Sequence, residues 1–286
     1  MNSRIIGTLS FDDHLLKQDV ETILQFGDVR EEYSEYRFGL WKNYVLWNGT
    51  GNQKDTLYMG PDGGAFQTGL GNQLPYINSV INNFFHTDKL KMVRANLLRD
   101  ALLIPHRDYI EFKSESEYLA RVHLPLKTNS GALHSEDDSV FHLRCGEVWY
   151  LDAGNVHSAC NPSDEPRISL VLDFKLEGDA PLESILKQPL NERPATTPAL
   201  IEREPMSDDF RNSIHVLRHV INRSNYRDIL LFLSRVHFYK NVSGAILFDW
   251  MIEICEGSGD RELLEKFTNF KSYMIQDREL GQRFRL

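Results

Sequence analysis

Positive charge is in short supply in this chain. The 32 lysines and arginines face 41 aspartates and glutamates, for a formal charge of −9 over 286 residues. No basic tract offsets that balance, so a phosphate backbone would be repelled and nucleic acid is set aside as a partner. Cysteine is scarcer: Cys145, Cys160 and Cys255 are all there are. Three cannot all pair and none has CxxC spacing, which argues against a disulfide framework and a zinc ribbon. Long apolar runs are missing too. No stretch approaches the roughly 20 residues of a membrane span, and MNSRIIGTLSFDDHLL lacks the apolar segment of a signal peptide. The expectation is a cytoplasmic protein with no membrane partner.

What is present suits a globular protein: 41% hydrophobic and 26% charged residues, without internal repeat or low-complexity tract. Residues 14–26 carry apolar positions at helical spacing. YRFGLWKNYVLWNGTGNQKD is rich in aromatics and ends in turn residues. Residues 75–85 read as helix, with Pro75 suited to the first turn. From about 90 to 176, short alternating runs are cut by turns, the pattern of a sandwich or barrel. In RISLVLDFKL, Arg167, Ser169, Val171 and Asp173 take one face, and Ile168, Leu170, Leu172 and Phe174 the other. Residues 178–205 hold five prolines and read as a linker. Helical periods follow, the first opened by a serine cap in SDDF. The expected organisation is N-terminal helices with a β core over 1–177, the linker over 178–205, and a helical domain over 206–286.

The chemistry-bearing stretch is LLIPHRDYIEF. Its His106 and Asp108, with a distant histidine, form the ligand set of a non-haem Fe(II) facial triad. His-x-Asp alone is a weak signal, and the chain has a second, His86-Thr87-Asp88, better read as the end of a helix. The third ligand could be His123, His134, His142 or His157. His157 lies 49 residues after Asp108, room for about four short strands, whereas His134 lies only 26 after. Arg167 follows His157 by ten residues. It is suited to hold a dicarboxylate in bidentate fashion, with Ser169 facing the same way. His134 and Arg144 repeat the ten-residue spacing, but Arg144 precedes the turn CGE and reads as solvated. His215 and His219 are i, i+4 on one helix with no third ligand, and read as helix surface.

Together, IPHRDYIE, RVHLPL, ALHSEDDSVFHLRCGEVWYLDAGNVHSACN and RISLVLDF resemble the bacterial L-proline 3-hydroxylases. These are iron- and 2-oxoglutarate-dependent oxygenases related to the aspartyl/asparaginyl β-hydroxylase group. The resemblance extends to FGLWKNYVLWNGTG and NYRDILLFLSRVHF, and so covers nearly the whole chain. It implies a mainly β fold with helices: a double-stranded β-helix (jelly roll, cupin-like) core with a C-terminal helical domain. Carried over by position, His106, Asp108 and His157 would be the catalytic iron ligands. Arg167 and Ser169 would hold the distal carboxylate of 2-oxoglutarate, and Arg121 and His123 would lie near its other end. Arg94 and His134 match positions on the substrate side. The family segment has two arginines two apart there; this chain has Arg94 and then Asn96. Trp41 and Trp47 are candidates to wall a pocket.

The implied reaction uses Fe(II), 2-oxoglutarate and O₂ to hydroxylate C3 of a free cyclic imino acid, L-proline or a close homologue such as L-pipecolate. Two rivals stand beside it. One is hydroxylation of an Asp or Asn side chain in a peptide. The other is a cupin-like metal binder without turnover, against which Arg167 with Ser169 argues. The C-terminal bundle could cover the β core, make a homodimer contact or close over the substrate.

Overall fold

A computed structural model describes residues 1–29, 34–56, 64–108, 117–191, 197–279 and 282–286. Its strands are β1 (Arg4–Thr8), β2 (Arg37–Asn48), β3 (Phe66–Gln67), β4 (Leu90–Leu103), β5 (Glu117–Lys127), β6 (Leu133–Glu136), β7 (Ser139–His142), β8 (Glu147–Tyr150), β9 (His157–Asn161), β10 (Arg167–Glu177) and β11 (Ala199–Leu200). Its helices are α1 (Asp13–Gln25), α2 (Pro75–Phe84), α3 (Asp208–Val216), α4 (Tyr226–Val236), α5 (Ile246–Ser258) and α6 (Arg261–Lys271). None is long and apolar enough to cross a membrane.

The strands form one antiparallel sheet in the order β1-β8-β5-β10-β4-β9-β6-β7-β11, with β2 on the other edge of β4 and β3 on β2. The 14-residue β4 curls the sheet. β10 pairs with it as far as Leu98, and β9 takes over at Ala101 and Leu102. The sheet folds over on itself as a jelly roll, the expected class.

Alternation decides the two faces. Ala95, Leu97, Val122, Leu124, Ile168, Leu170, Leu172 and Phe174 point into the main core. There they meet Leu16, Val20 and Ile23 of α1 and Ile77, Val80 and Ile81 of α2. Asp12 caps α1 through the Leu15 amide, and Pro75 opens α2. The opposite, concave face mixes apolar with charged and polar side chains and lines a cavity.

The proline-rich segment is tied to the sheet at several points. Phe85 bridges Leu186, Thr8 bridges Asn191, and β11 pairs with β7; residues 192–196 lie outside the described set. Beyond it, Ser207 caps α3 by accepting from the Phe210 amide. The C-terminal helices pack around Phe248, Met251, Phe267 and Phe270. That second core also takes in Tyr36 and Ile104, so the bundle packs against the residue two before His106. The Arg107 amide donates to the Met274 carbonyl.

Candidate active site

The concave face surrounds a cavity of about 550 Å³, within the range of small-molecule sites. Cross-strand rows set its lining. Arg167 faces Leu98, which faces Trp41; Ser169 faces Asn96, which faces Asn43; His123 faces Val171, which faces Arg94. His106, Asp108, Arg121, His134 and His157 also line it. All nine site candidates from the sequence therefore reach one cavity. Trp41 joins them, but Trp47 does not. A register shift between Val45 and Trp47 turns its ring into the core, where Nε1 donates to Asn78 Oδ1 at 2.9 Å.

His106, Asp108 and His157 offer ligand atoms within 4.8 Å of one another. Among the described residues, no other trio of His, Cys, Asp or Glu lies so close. His106 and Asp108 lie beyond the strand, because β4 has ended at Leu103. Instead, His106 and His157 exchange both backbone hydrogen bonds at 2.9 Å, and the Asp108 amide donates to the Ala153 carbonyl at 2.8 Å. His106 Nδ1 lies 2.7 Å from the Ile104 carbonyl and His157 Nδ1 lies 3.0 Å from that of Asn155. A carbonyl only accepts, so Nδ1 carries the hydrogen in each ring and the Nε2 lone pair faces inward. Burial, reinforced by His157, pushes the His106 pKa down to about 4. The ring is neutral at pH 7, as a metal ligand must be. Asp108 Oδ2 accepts from Arg121, and Oδ1 lies 3.5 Å from His106 Nε2. Burial alone would raise Asp108, but Arg121 and the two imidazoles outweigh it and hold the carboxyl well below its ordinary range. Two imidazoles and one carboxylate on one side of a space fit Fe(II).

Sequence reasoning did not single out Asp173, which holds the arginines. Fully buried, it accepts from Arg121 Nε at 2.7 Å and Arg94 Nη2 at 2.7 Å. Its signal was present: it shares the strand face of Arg167 and Ser169. Tyr36, also overlooked, packs edge-on to the His106 ring at 4.9 Å. Arg167 is only 7% exposed, with no carboxylate paired to it among the described residues. Burial lowers its pKa to about 10. Ser169 Oγ, Asn96 Oδ1, Asn43 Oδ1, His123 Nδ1 and His134 Nδ1 are buried without hydrogen-bond partners. Buried polar atoms rarely stay unpaired, and these all border the same space, which is the mark of a ligand site. Burial first, then neighbouring positive groups, drives His123 and His134 well below the ordinary histidine value.

The decoys fall elsewhere. His86 follows α2 and sits 3.5 Å from Asp88. His142 Nδ1 faces the Ala132 carbonyl, Arg144 pairs with Glu147, and His215 lies 3.6 Å from Glu253.

Comparison with known proteins settles the family. The aspartyl/asparaginyl β-hydroxylase model matches residues 12–176, and the L-proline 3-hydroxylase C-terminal model matches residues 183–282. This chain belongs to the L-proline 3-hydroxylase family. It is a non-haem Fe(II)- and 2-oxoglutarate-dependent dioxygenase, as the resemblance implied. A Streptomyces L-proline cis-3-hydroxylase is 37% identical, over 100% of this chain and 99% of its own. An L-proline cis-4-hydroxylase from Rhizobium meliloti (strain 1021) is 34% identical, over 99% of each. Among solved structures, a viral collagen prolyl hydroxylase from Paramecium Bursaria Chlorella virus-1 aligns at 12% identity with a TM-score of 0.37. The alignment covers 61% of this chain and 96% of that one, a likeness too distant to bear on the site.

Proposed function

We propose that this dioxygenase hydroxylates C3 of a free cyclic imino acid, L-proline or a close homologue such as L-pipecolate. The observation that carries the reading is the presence, in one cavity, of the His106–Asp108–His157 cluster and the buried cation Arg167, which no carboxylate of the described residues pairs. The names of the full-length relatives support a proline-like substrate, and they include both cis-3 and cis-4 hydroxylases.

In this reading, His106, Asp108 and His157 hold the iron. Arg167 and Ser169 take the distal carboxylate of 2-oxoglutarate, satisfying a charge and a hydroxyl that otherwise stay buried alone. Arg121 also has a positioning role. It positions Asp108, holding Oδ2 so that Oδ1 is presented to the metal, and Asp173 holds Arg121 in turn. His123, beside Arg94 and Val171, borders the space between co-substrate and substrate. Arg94 offers a cation to the substrate carboxylate, and His134 closes the opposite wall. Once bound, iron and 2-oxoglutarate supply the oxidation: O₂ is split between succinate, formed with loss of CO₂, and the substrate carbon. The residues select which C–H bond faces that chemistry.

The test is anaerobic loading with Fe(II) and 2-oxoglutarate, then succinate formation on admission of O₂, against free amino acids led by L-proline and L-pipecolate. Succinate tied to one imino acid, with a product one oxygen heavier, is the expected result. NMR of that product separates C3 from C4. Turnover that no panel member stimulates would point to a peptide substrate instead.

A further inference from the structure

One cross-strand row on the cavity floor is unusual. Ser169 on β10, Asn96 on β4 and Asn43 on β2 lie side by side and face the cavity. Each buries an oxygen that no hydrogen bond from the described residues reaches. Ser169 is accounted for by the co-substrate. The two asparagines are not.

An amide oxygen accepts and never donates, so it matches an N–H and repels a carboxylate. Residues opposed on neighbouring strands bring their Cβ atoms to roughly 5 Å, and two amide oxygens there can converge on one atom. A protonated cyclic secondary amine carries two N–H bonds, one for each oxygen. Arg94 sits two residues along the same face of β4, roughly 7 Å away, where a carboxylate attached beside that nitrogen would reach.

We propose that Asn43 and Asn96 together bind the protonated ring nitrogen of the imino acid, with its carboxylate directed to Arg94. The inference rests on the function proposed above. With nitrogen and carboxylate both fixed, the ring keeps one orientation, and this pair becomes a determinant of substrate choice and of the carbon attacked.

The test is anaerobic calorimetry of protein loaded with Fe(II) and 2-oxoglutarate. The titrants are L-proline, L-pipecolate and tetrahydrofuran-2-carboxylate, whose ring oxygen replaces the N–H. Wild type should prefer an imino acid to the oxygen analogue. Asn43→Leu and Asn96→Leu should each weaken imino acid binding about tenfold or more and erase that preference. Asn96→Asp, an acceptor with negative charge, should keep the imino acid and widen the preference. Binding of 2-oxoglutarate to each variant is the control for folding. Unchanged affinity and preference in the leucine variants would overturn the assignment. So would loss of the imino acid in Asn96→Asp, because the amide would then be donating to the carboxylate. If wild type binds no imino acid at all, the proposed function fails, and this inference with it.

Discussion

Replacing Arg167 with methionine should stabilise the protein without co-substrate and abolish its response to it. The guanidinium is nearly buried and has no carboxylate partner among the described residues, and burial lowers its pKa from the ordinary arginine value to about 10. That depression corresponds to about 3 kcal/mol against the charged form. The sign follows from linkage: the folded chain holds this proton less tightly than the unfolded one. The penalty is therefore complete below pH 10 and fades only as pH rises from there towards the ordinary arginine value. Methionine keeps most of the stem's volume and carries no charge. After some loss of packing, Arg167→Met should gain on the order of 1–2 kcal/mol, or about 2–5 °C in Tm. Wild type should instead gain about 2.7 kcal/mol from 2-oxoglutarate at a hundredfold excess over Kd, and the variant nothing. Melting curves with and without 2-oxoglutarate, in the presence of Fe(II), measure both effects. A large loss of stability without ligand would show that Arg167 already has a partner. A ligand-induced shift retained in Arg167→Met would refute the co-substrate assignment.

Other consequences concern the network behind the metal cluster. Asp173→Asn strips the buried anion from Arg94 and Arg121 and should destabilise the fold by about 3–5 kcal/mol in urea titrations. Arg121→Gln releases Asp108 Oδ2; Co(II) affinity, followed by absorption, should fall about 10- to 100-fold, and an unchanged value would remove Arg121 from any positioning role. Acid should weaken the protein through His237, a buried ring on Ser135 Oγ whose pKa burial drops to about 3. The unfolded chain binds that proton below pH 6.5 and the folded chain refuses it, so stability falls from 6.5 down to about 3. His237→Gln should flatten the fall of Tm with pH over that window.

Much of the fold could be read because alternation is local. RISLVLDFKL sorts its side chains between core and cavity by period two alone, and β10 keeps that sorting over its whole length. Helices with caps and amphipathic spacing were equally legible, as Ser207 and Pro75 illustrate. β2 was not read as a strand: its aromatics fit several structures, and its pairing partner, β4, lies more than 40 residues on. Trp47 shows how a single bulge decides between two readings, sending one of the two candidates for a pocket wall into the core.

The sequence by itself determined which residue types could meet an iron ion and a dicarboxylate, because ligand chemistry and strand alternation are properties of short segments. Only the tertiary structure decided who holds whom. Arg121 grips Asp108, Asp173 joins it to Arg94, and Asn43 stands opposite Asn96. These contacts depend on register between distant strands and on where β4 stops, and both are set by burial of the whole sheet rather than by any stretch of chain.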